Sequence, residues 1–110
     1  MKTVDVQQYQ TRNGLKPISE WFDNLDDAIA RARILARLDR LVAGLRGDCK
    51  SVGGGVSELR VDHGPGYRVY FAQHGASLVI LLCGGDKRTQ AKDIELAHAY
   101  WKDYKDRTRI

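Results

Sequence analysis

An α+β fold is predicted by two apolar periodicities that occupy different stretches of the chain, and by its length. Segments 3–10, 56–62 and 67–73 alternate apolar and polar residues with the two-residue period of a half-buried strand, whereas 26–45 and the segment after Thr89 repeat apolar residues at helical spacing. At 110 residues the chain is expected to form a single domain, 1–110, with room for one modest core. The expected order is an N-terminal strand, two helices, a three-stranded antiparallel meander and a C-terminal helix.

The first strand rests on Val4 and Val6 alternating with Asp5 and Gln7, and Thr11-Arg12-Asn13-Gly14 closes it as a turn. Pro17 suits the first position of a short helix, where its missing N–H costs nothing, and Ile18, Trp21, Phe22 and Leu25 form its apolar face. A longer helix is expected from Asp26 to Leu45, with Asp26 and Asp27 at its positive end and Ile29, Ala32, Leu35, Leu38, Val42 and Leu45 as the core stripe. Arg33, Arg37 and Arg40 fall on another face and read as solvated. Arg46–Gly55 is polar, ends in three glycines and is expected to be a flexible loop.

The meander follows. Val56–Asp62 and Tyr67–Gln73 alternate, and Ser77–Cys83 is almost continuously apolar, as a strand covered on both faces should be. His63-Gly64-Pro65-Gly66 and His74-Gly75-Ala76 supply the turns. After Gly84-Gly85-Asp86-Lys87-Arg88, Thr89 can cap the last helix, whose stripe is Ile94, Ala97, Trp101 and Tyr104.

Composition narrows the function. The chain is 43% hydrophobic and 29% charged, too apolar to stay disordered, and its formal charge of +4 mildly favours a polyanionic partner. Each half of the chain holds nine basic and seven acidic residues, so there is no basic tail and any positive patch must be assembled by folding. Cys49 and Cys83 are too few for a disulfide framework, and Cys83 reads as a small buried hydrophobe. The N-terminal residues lack the apolar centre of a signal peptide and no stretch approaches the ~18 apolar residues of a membrane span. A cytoplasmic protein with no membrane partner is the expectation.

Alternation places Glu58 and Arg60 on one strand face and Leu59 and Val61 on the other. On the next strand Arg68 and Tyr70 point away from the apolar face, so a hairpin brings Arg60 and Arg68 onto one surface, expected to lie away from the helices. Lys87 and Arg88 arrive just before a helix whose free N–H groups favour an anion. Each cation alone is more simply an ion-pair partner, and Glu58, Asp62 and Asp86 are available to pair. Four cations converging on a helix N-terminus read better as a phosphate-binding group. Gly84–Thr89 lacks the glycine spacing of a Walker loop, and His63, His74 and His98 show no metal-ligand spacing with each other or with the cysteines, so no metal and no cofactor are expected.

Glu58-Leu59-Arg60, Gly66-Tyr67-Arg68-Val69-Tyr70 and the run from Leu82 to Ile94 resemble the addiction-module killer proteins, the HigB-like branch of the RelE toxin superfamily. Pro17-Ile18-Ser19-Glu20-Trp21 and the long helix fit in order, so the resemblance spans nearly the whole chain. It implies a RelE-like α+β fold and a toxin that cuts messenger RNA on the ribosome. The partners it implies are that message and a cognate helix-turn-helix antitoxin. Metal-free cleavage uses the 2′-hydroxyl as nucleophile and requires that the developing phosphorane charge be neutralised and the leaving oxygen protonated. Arg68 matches the family's Gly-Tyr-Arg arginine and Arg88 the arginine before the last helix, which implies catalytic roles for both, with Arg60 and Lys87 as phosphate contacts. Glu58 stands where well-known relatives carry a lysine, and Ile94 where they carry a tyrosine. Glu58 is thus either a catalytic base or a salt-bridge partner of Arg60 or Arg68. Tyr70, His98 and Tyr100 could supply a proton or stack on a base, or be packing residues.

Overall fold

A computed structural model describes residues 3–109, with strand β1 (Asp5–Gln8), helices α1 (Pro17–Asp23) and α2 (Ala28–Val42), strands β2 (Cys49–Ser51), β3 (Val56–Val61), β4 (Tyr67–His74) and β5 (Leu78–Asp86), and helix α3 (Gln90–Thr108). A single 3-10 turn, Lys87–Thr89, joins β5 to α3. The expected α+β order and the antiparallel meander β3-β4-β5 are present. The meander is wider than expected at both edges. β1 adds to β5 in parallel and β2 adds to β3 antiparallel, giving a five-stranded mixed sheet in the order β1-β5-β4-β3-β2. β2 lies inside the stretch read as a flexible loop; its three residues are too few to show a period, and the Gly53–Gly55 turn returns the chain directly into β3.

Both faces of the sheet are covered. Leu59, Val61, Val69, Phe71, Val79 and Leu81 pack against Ile18, Ala30, Ile34 and Leu41 of α1 and α2. On the opposite face Val56, Tyr70, Ala72, Ile80, Leu82 and Cys83 pack against Ala97 and Trp101 of α3, with Ile94 and Tyr104 beside them. The stripe expected on α3 is therefore the buried one. The surface of Arg60 and Arg68, expected to lie away from the helices, instead faces α3, which covers part of it.

Two features of β5 explain how the layers close. Gly84 and Gly85 are strand residues, although they read as the loop after it. A Cβ on Gly84 would overlap the Trp21 ring of α1, and one on Gly85 would overlap the Asp93 carboxylate of α3. Successive residues point to opposite faces, so two adjacent glycines let one helix on each side touch the backbone.

α2 departs from the sequence reading in length and in phase. It runs from Ala28 to Val42, and Asp27 is its N-cap, its carboxylate accepting from the Ala30 N–H at 3.0 Å. The buried residues are Ala30, Ile34 and Leu41, with Leu38 half-buried beside them. Ile29, Ala32, Leu35 and Val42, expected to be core, face solvent. Two apolar stripes coexist on this helix and periodicity alone cannot choose between them. Arg37 is not simply solvated: its guanidinium donates to the carbonyls of Arg60, Arg46 and Asp48 and so ties α2 to the start of β2 and the end of β3.

Candidate functional site

β3 and β4 are registered so that Arg60 lies directly opposite Arg68 and Glu58 directly opposite Tyr70. The two arginines, with Asp48, Val61, Asp62, Gly66 and Tyr67, line an open cleft of about 310 Å³ at the end of the sheet. Arg60 is paired with Asp48, Nη2 to Oδ1 at 2.8 Å and Nε to the same oxygen at 3.2 Å, and that carboxylate holds the guanidinium above its ordinary pKa. This pair is half-exposed and therefore weak, so an incoming phosphate can compete for Arg60.

Arg68 is held differently. Its Nη1 donates to the Gly66 carbonyl at 2.6 Å, and its Nε lies 3.5 Å from Glu58 Oε2, too far for a good hydrogen bond. That Nε is buried and has no hydrogen-bond partner among the described residues. Glu58 is only 1% exposed and sits beneath the cleft, where its Oε2 accepts from the Tyr70 hydroxyl and from Gln90 Nε2, both at 2.9 Å. The Tyr70 hydroxyl is pushed up in pKa, first by burial and then by its bond to Glu58. Its hydrogen is directed at the Glu58 carboxylate. Tyr70 and Gln90 thus orient Glu58, and Glu58 provides the countercharge that keeps Arg68 in place.

Lys87 reaches the same edge from the 3-10 turn. Gly66 separates it from Arg68, because a Cβ on Gly66 would come within 3.1 Å of Arg68 Nη1 and 3.8 Å of Lys87 Cβ. The backbone there has φ +80°, and a side chain would be strained as well as obstructive. Lys87 is exposed and makes no ion pair among the described residues. Arg88 is 79% exposed and folds back on Asp86, Nη2 to Oδ2 at 2.8 Å, while its backbone N–H donates to Asp86 Oδ1 at 2.8 Å. The pairing lowers the Asp86 pKa and raises that of Arg88.

The expected anion site at the start of the last helix is filled by the chain's own carboxylates. Asp86 caps the 3-10 turn, and Thr89 caps nothing with its side chain but donates to Asp93 at 2.5 Å. Arg60, Arg68 and Lys87 therefore share one edge, with Arg88 beside it in a local pair. Lys50, which the sequence reading passed over, joins them. It is exposed on the edge strand β2, opposite Glu58 and on the same sheet face. The signal for it was the register of a three-residue strand, which the sequence does not reveal.

The remaining candidates have structural duties. His98 Nε2 contacts the carbonyls of Val52 at 3.0 Å and Gly53 at 3.1 Å and holds the β2–β3 turn against α3. Tyr100 stacks on Tyr9 with ring centroids 4.8 Å apart. His63 pairs with the N-cap Asp27 at 3.0 Å. Among the described residues no three His, Cys, Asp or Glu side chains converge on a metal-sized site, and no helix is long and apolar enough to cross a membrane.

The model of a family of phage-derived proteins, Gp49-like (DUF891), matches residues 20–102. The chain belongs to the Gp49-like family. The match begins inside α1 and ends inside α3, so every residue of the cleft falls within the Gp49-like region. An uncharacterized protein of Haemophilus influenzae (strain Rd) is 54% identical over 77 residues, which cover 70% of this chain and 78% of that protein. This Gp49-like chain thus presents a basic edge built on a buried carboxylate.

Proposed function

We propose that this Gp49-like protein is the toxin of a type II toxin–antitoxin system, of the HigB-like branch of the RelE superfamily. In this reading it works in the cytoplasm as a ribosome-dependent, metal-independent mRNA endoribonuclease and is held in check by a cognate helix-turn-helix antitoxin. The observation that carries the reading is Arg68, fixed by the buried Glu58–Tyr70–Gln90 network at the edge it shares with Arg60 and Lys87. A guanidinium anchored from below, mostly buried and lining the cleft, is suited to a phosphate whose charge grows in the transition state, because it needs no reorganisation when that charge appears.

The division of labour follows from the contacts. Arg68 binds the scissile phosphate and stabilises the phosphorane; Arg60, Lys87 and Lys50 bind flanking phosphates; Arg88 joins by releasing Asp86. Glu58 acts as the positioning residue for Arg68, since its carboxylate is buried and already accepts two hydrogen bonds. A message held by the ribosome supplies the in-line geometry that a shallow cleft of this size does not impose.

Purified protein added to a cell-free translation reaction is expected to cut the message, and Arg68→Ala to slow cutting by roughly 10²–10³-fold, as for loss of a principal transition-state donor. Intact message at every protein concentration, with ribosomes present, would overturn the nuclease reading. A second reading, a non-catalytic RNA-binding module, is favoured by one observation: none of the described histidines lines the cleft, and the Tyr70 hydroxyl is engaged with Glu58. Binding without cleavage would select it. In both cases Lys50→Ala and Lys87→Ala should each reduce the salt dependence of RNA binding by roughly one phosphate contact.

A further inference from the structure

Arg33, Arg37 and Arg40 repeat at i, i+4 and i+7 and so share one side of α2 over about 10 Å, yet the cleft of Arg60 and Arg68 uses none of them. They stand along a groove of about 360 Å³ between α2 and the end of β3, whose remaining lining is Ala36, Val61 and Asp62. Val61 and Asp62 also line the cleft. The groove therefore continues the cleft round the end of β3, from the α3 side of the sheet to the α2 side. Arg37 fixes the junction, because its guanidinium donates to the carbonyls of Arg60, Arg46 and Asp48. Arg33 and Arg40 flank it, exposed, and neither makes an ion pair or side-chain hydrogen bond among the described residues.

Charge and a thin apolar lining decide what fits. Three guanidiniums stand along the groove against one carboxylate, Asp62. Asp39 lies about 100° or more round the helix from each of them. Asp27 is engaged by the Ala30 N–H and His63, and Asp26 precedes the helix, outside the residues lining the groove. The apolar lining is Ala36 and Val61, and Val61 is already buried, so the groove lacks the anchor pocket of a protein interface and has nothing to sink into a lipid layer. A second copy of this chain would set the same arginines against each other. A phosphate backbone needs only charge and guanidinium donors, and it is the ligand already read for the adjoining cleft.

We propose that the α2 groove carries the same RNA strand as the cleft, with Arg33 and Arg40 each holding a phosphate beyond those bound by Arg60, Arg68 and Lys87. The inference rests on the reading of the cleft as an RNA site and not on cleavage. Asp62 repels a phosphate at the crossing, so the strand turns there with a sugar or base edge against it.

The test measures fluorescence anisotropy with single-stranded 2′-deoxy oligonucleotides, which lack the hydroxyl needed for cutting, at lengths of about four and about fifteen nucleotides. For the longer one, Arg33→Gln combined with Arg40→Gln is expected to lower affinity about tenfold and to flatten the log–log salt slope by about 1.4, two phosphates at about 0.7 each. Lys16→Gln combined with Lys102→Gln removes the same charge before α1 and on α3, and should not flatten it. Arg60→Ala should weaken binding at both lengths. If circular dichroism shows the double variant unfolded, Arg33→Gln and Arg40→Gln singly decide, each with half the slope change. The proposal is overturned if the slope is unchanged, if the charge-matched control flattens it equally, or if the short oligonucleotide loses as much as the long one. It is also overturned if the double variant binds the long oligonucleotide normally but sediments less with ribosomes, because the groove then serves ribosomal RNA. Loss of the groove effect while Arg60→Ala weakens both lengths removes the groove alone, whereas unchanged binding with Arg60→Ala removes the cleft reading beneath it.

Discussion

Glu58 shows how much one buried carboxylate can govern. It is held by two neutral donors and faces a guanidinium that is itself mostly buried, so deleting it leaves Arg68 uncompensated and the Tyr70 hydroxyl unpaired. Glu58→Ala is expected to cost roughly 3–5 kcal/mol of stability, the range for breaking a buried ion pair. Tyr70→Phe removes only one donor to the charged group and should cost about 1.5–3 kcal/mol. Urea unfolding of the two variants checks the order; a larger loss for Tyr70→Phe would mean that the Tyr70 hydroxyl bond, and not the pairing of Glu58 with Arg68, dominates. Under the proposed nuclease function, RNA cleavage should also fall in both, because Arg68 loses its anchor. The approach of Arg60 to Arg68 was legible in the sequence from strand alternation and a short turn. The burial of Glu58 was not, because it depends on where α3 comes to rest, and Gln90, which seals the site, lies 32 residues away in sequence. The proposed function takes Glu58 as the anchor on the strength of that burial, since a base must be reachable and Glu58 is 1% exposed.

The elements were the most legible level where one period dominated. β3, β4, β5 and α3 follow their patterns, and Pro17 opens α1 as expected. The failures share a cause: β2 is too short to have a period, and α2 has two stripes in different phases. Contacts that no period encodes fixed the rest. Gly84→Ala and Gly85→Ala test the most demanding of them, since each added methyl meets a packed group of a different helix. Thermal melting should show each destabilised by about 1–3 kcal/mol, the usual cost of overpacking, with Gly84→Ala loosening Trp21 and Gly85→Ala displacing Asp93. An unchanged melting temperature would mean that the helices slide freely on β5. The N-cap of α2 supplies a pH test. Backbone N–H donation from Ala30, aided by His63, holds the Asp27 pKa below the ordinary 3.8. Its stabilising effect is therefore complete above 3.8 and is lost as pH falls through the lower folded value. Asp27→Asn keeps a capping side chain but cannot titrate, so its stability should fall less steeply in acid than that of the parent.

At the scale of the whole molecule the two cores on either side of the sheet differ in kind. The α1/α2 side is built of Leu, Ile, Val and Phe with Tyr67 at its edge, whereas the α3 side encloses Tyr9, Tyr70 and Cys83. All three are pushed up in pKa, chiefly by burial: Tyr9 to about 12, with help from its 2.6 Å bond to Asp103, Cys83 to about 12, and Tyr70 with help from Glu58. The sign follows directly. The unfolded chain releases these protons near the ordinary values of 9.0 and 10.0 while the folded chain keeps them, so stability is full below pH 9 and declines as pH rises toward the folded values. Because all three groups line one core, base should detach α3 before it disturbs α1 and α2. The two tryptophans report the two sides separately, Trp101 packed in the α3 core and Trp21 against the other. With Trp21→Phe and Trp101→Phe variants, the emission of Trp101 is expected to shift at lower pH than that of Trp21. Tyr9→Phe should flatten the alkaline loss of stability by about one proton. Coincident shifts of the two tryptophans would show that the sheet and its helices unfold as one unit, and that the polar groups set the limit for the whole molecule instead of for one layer.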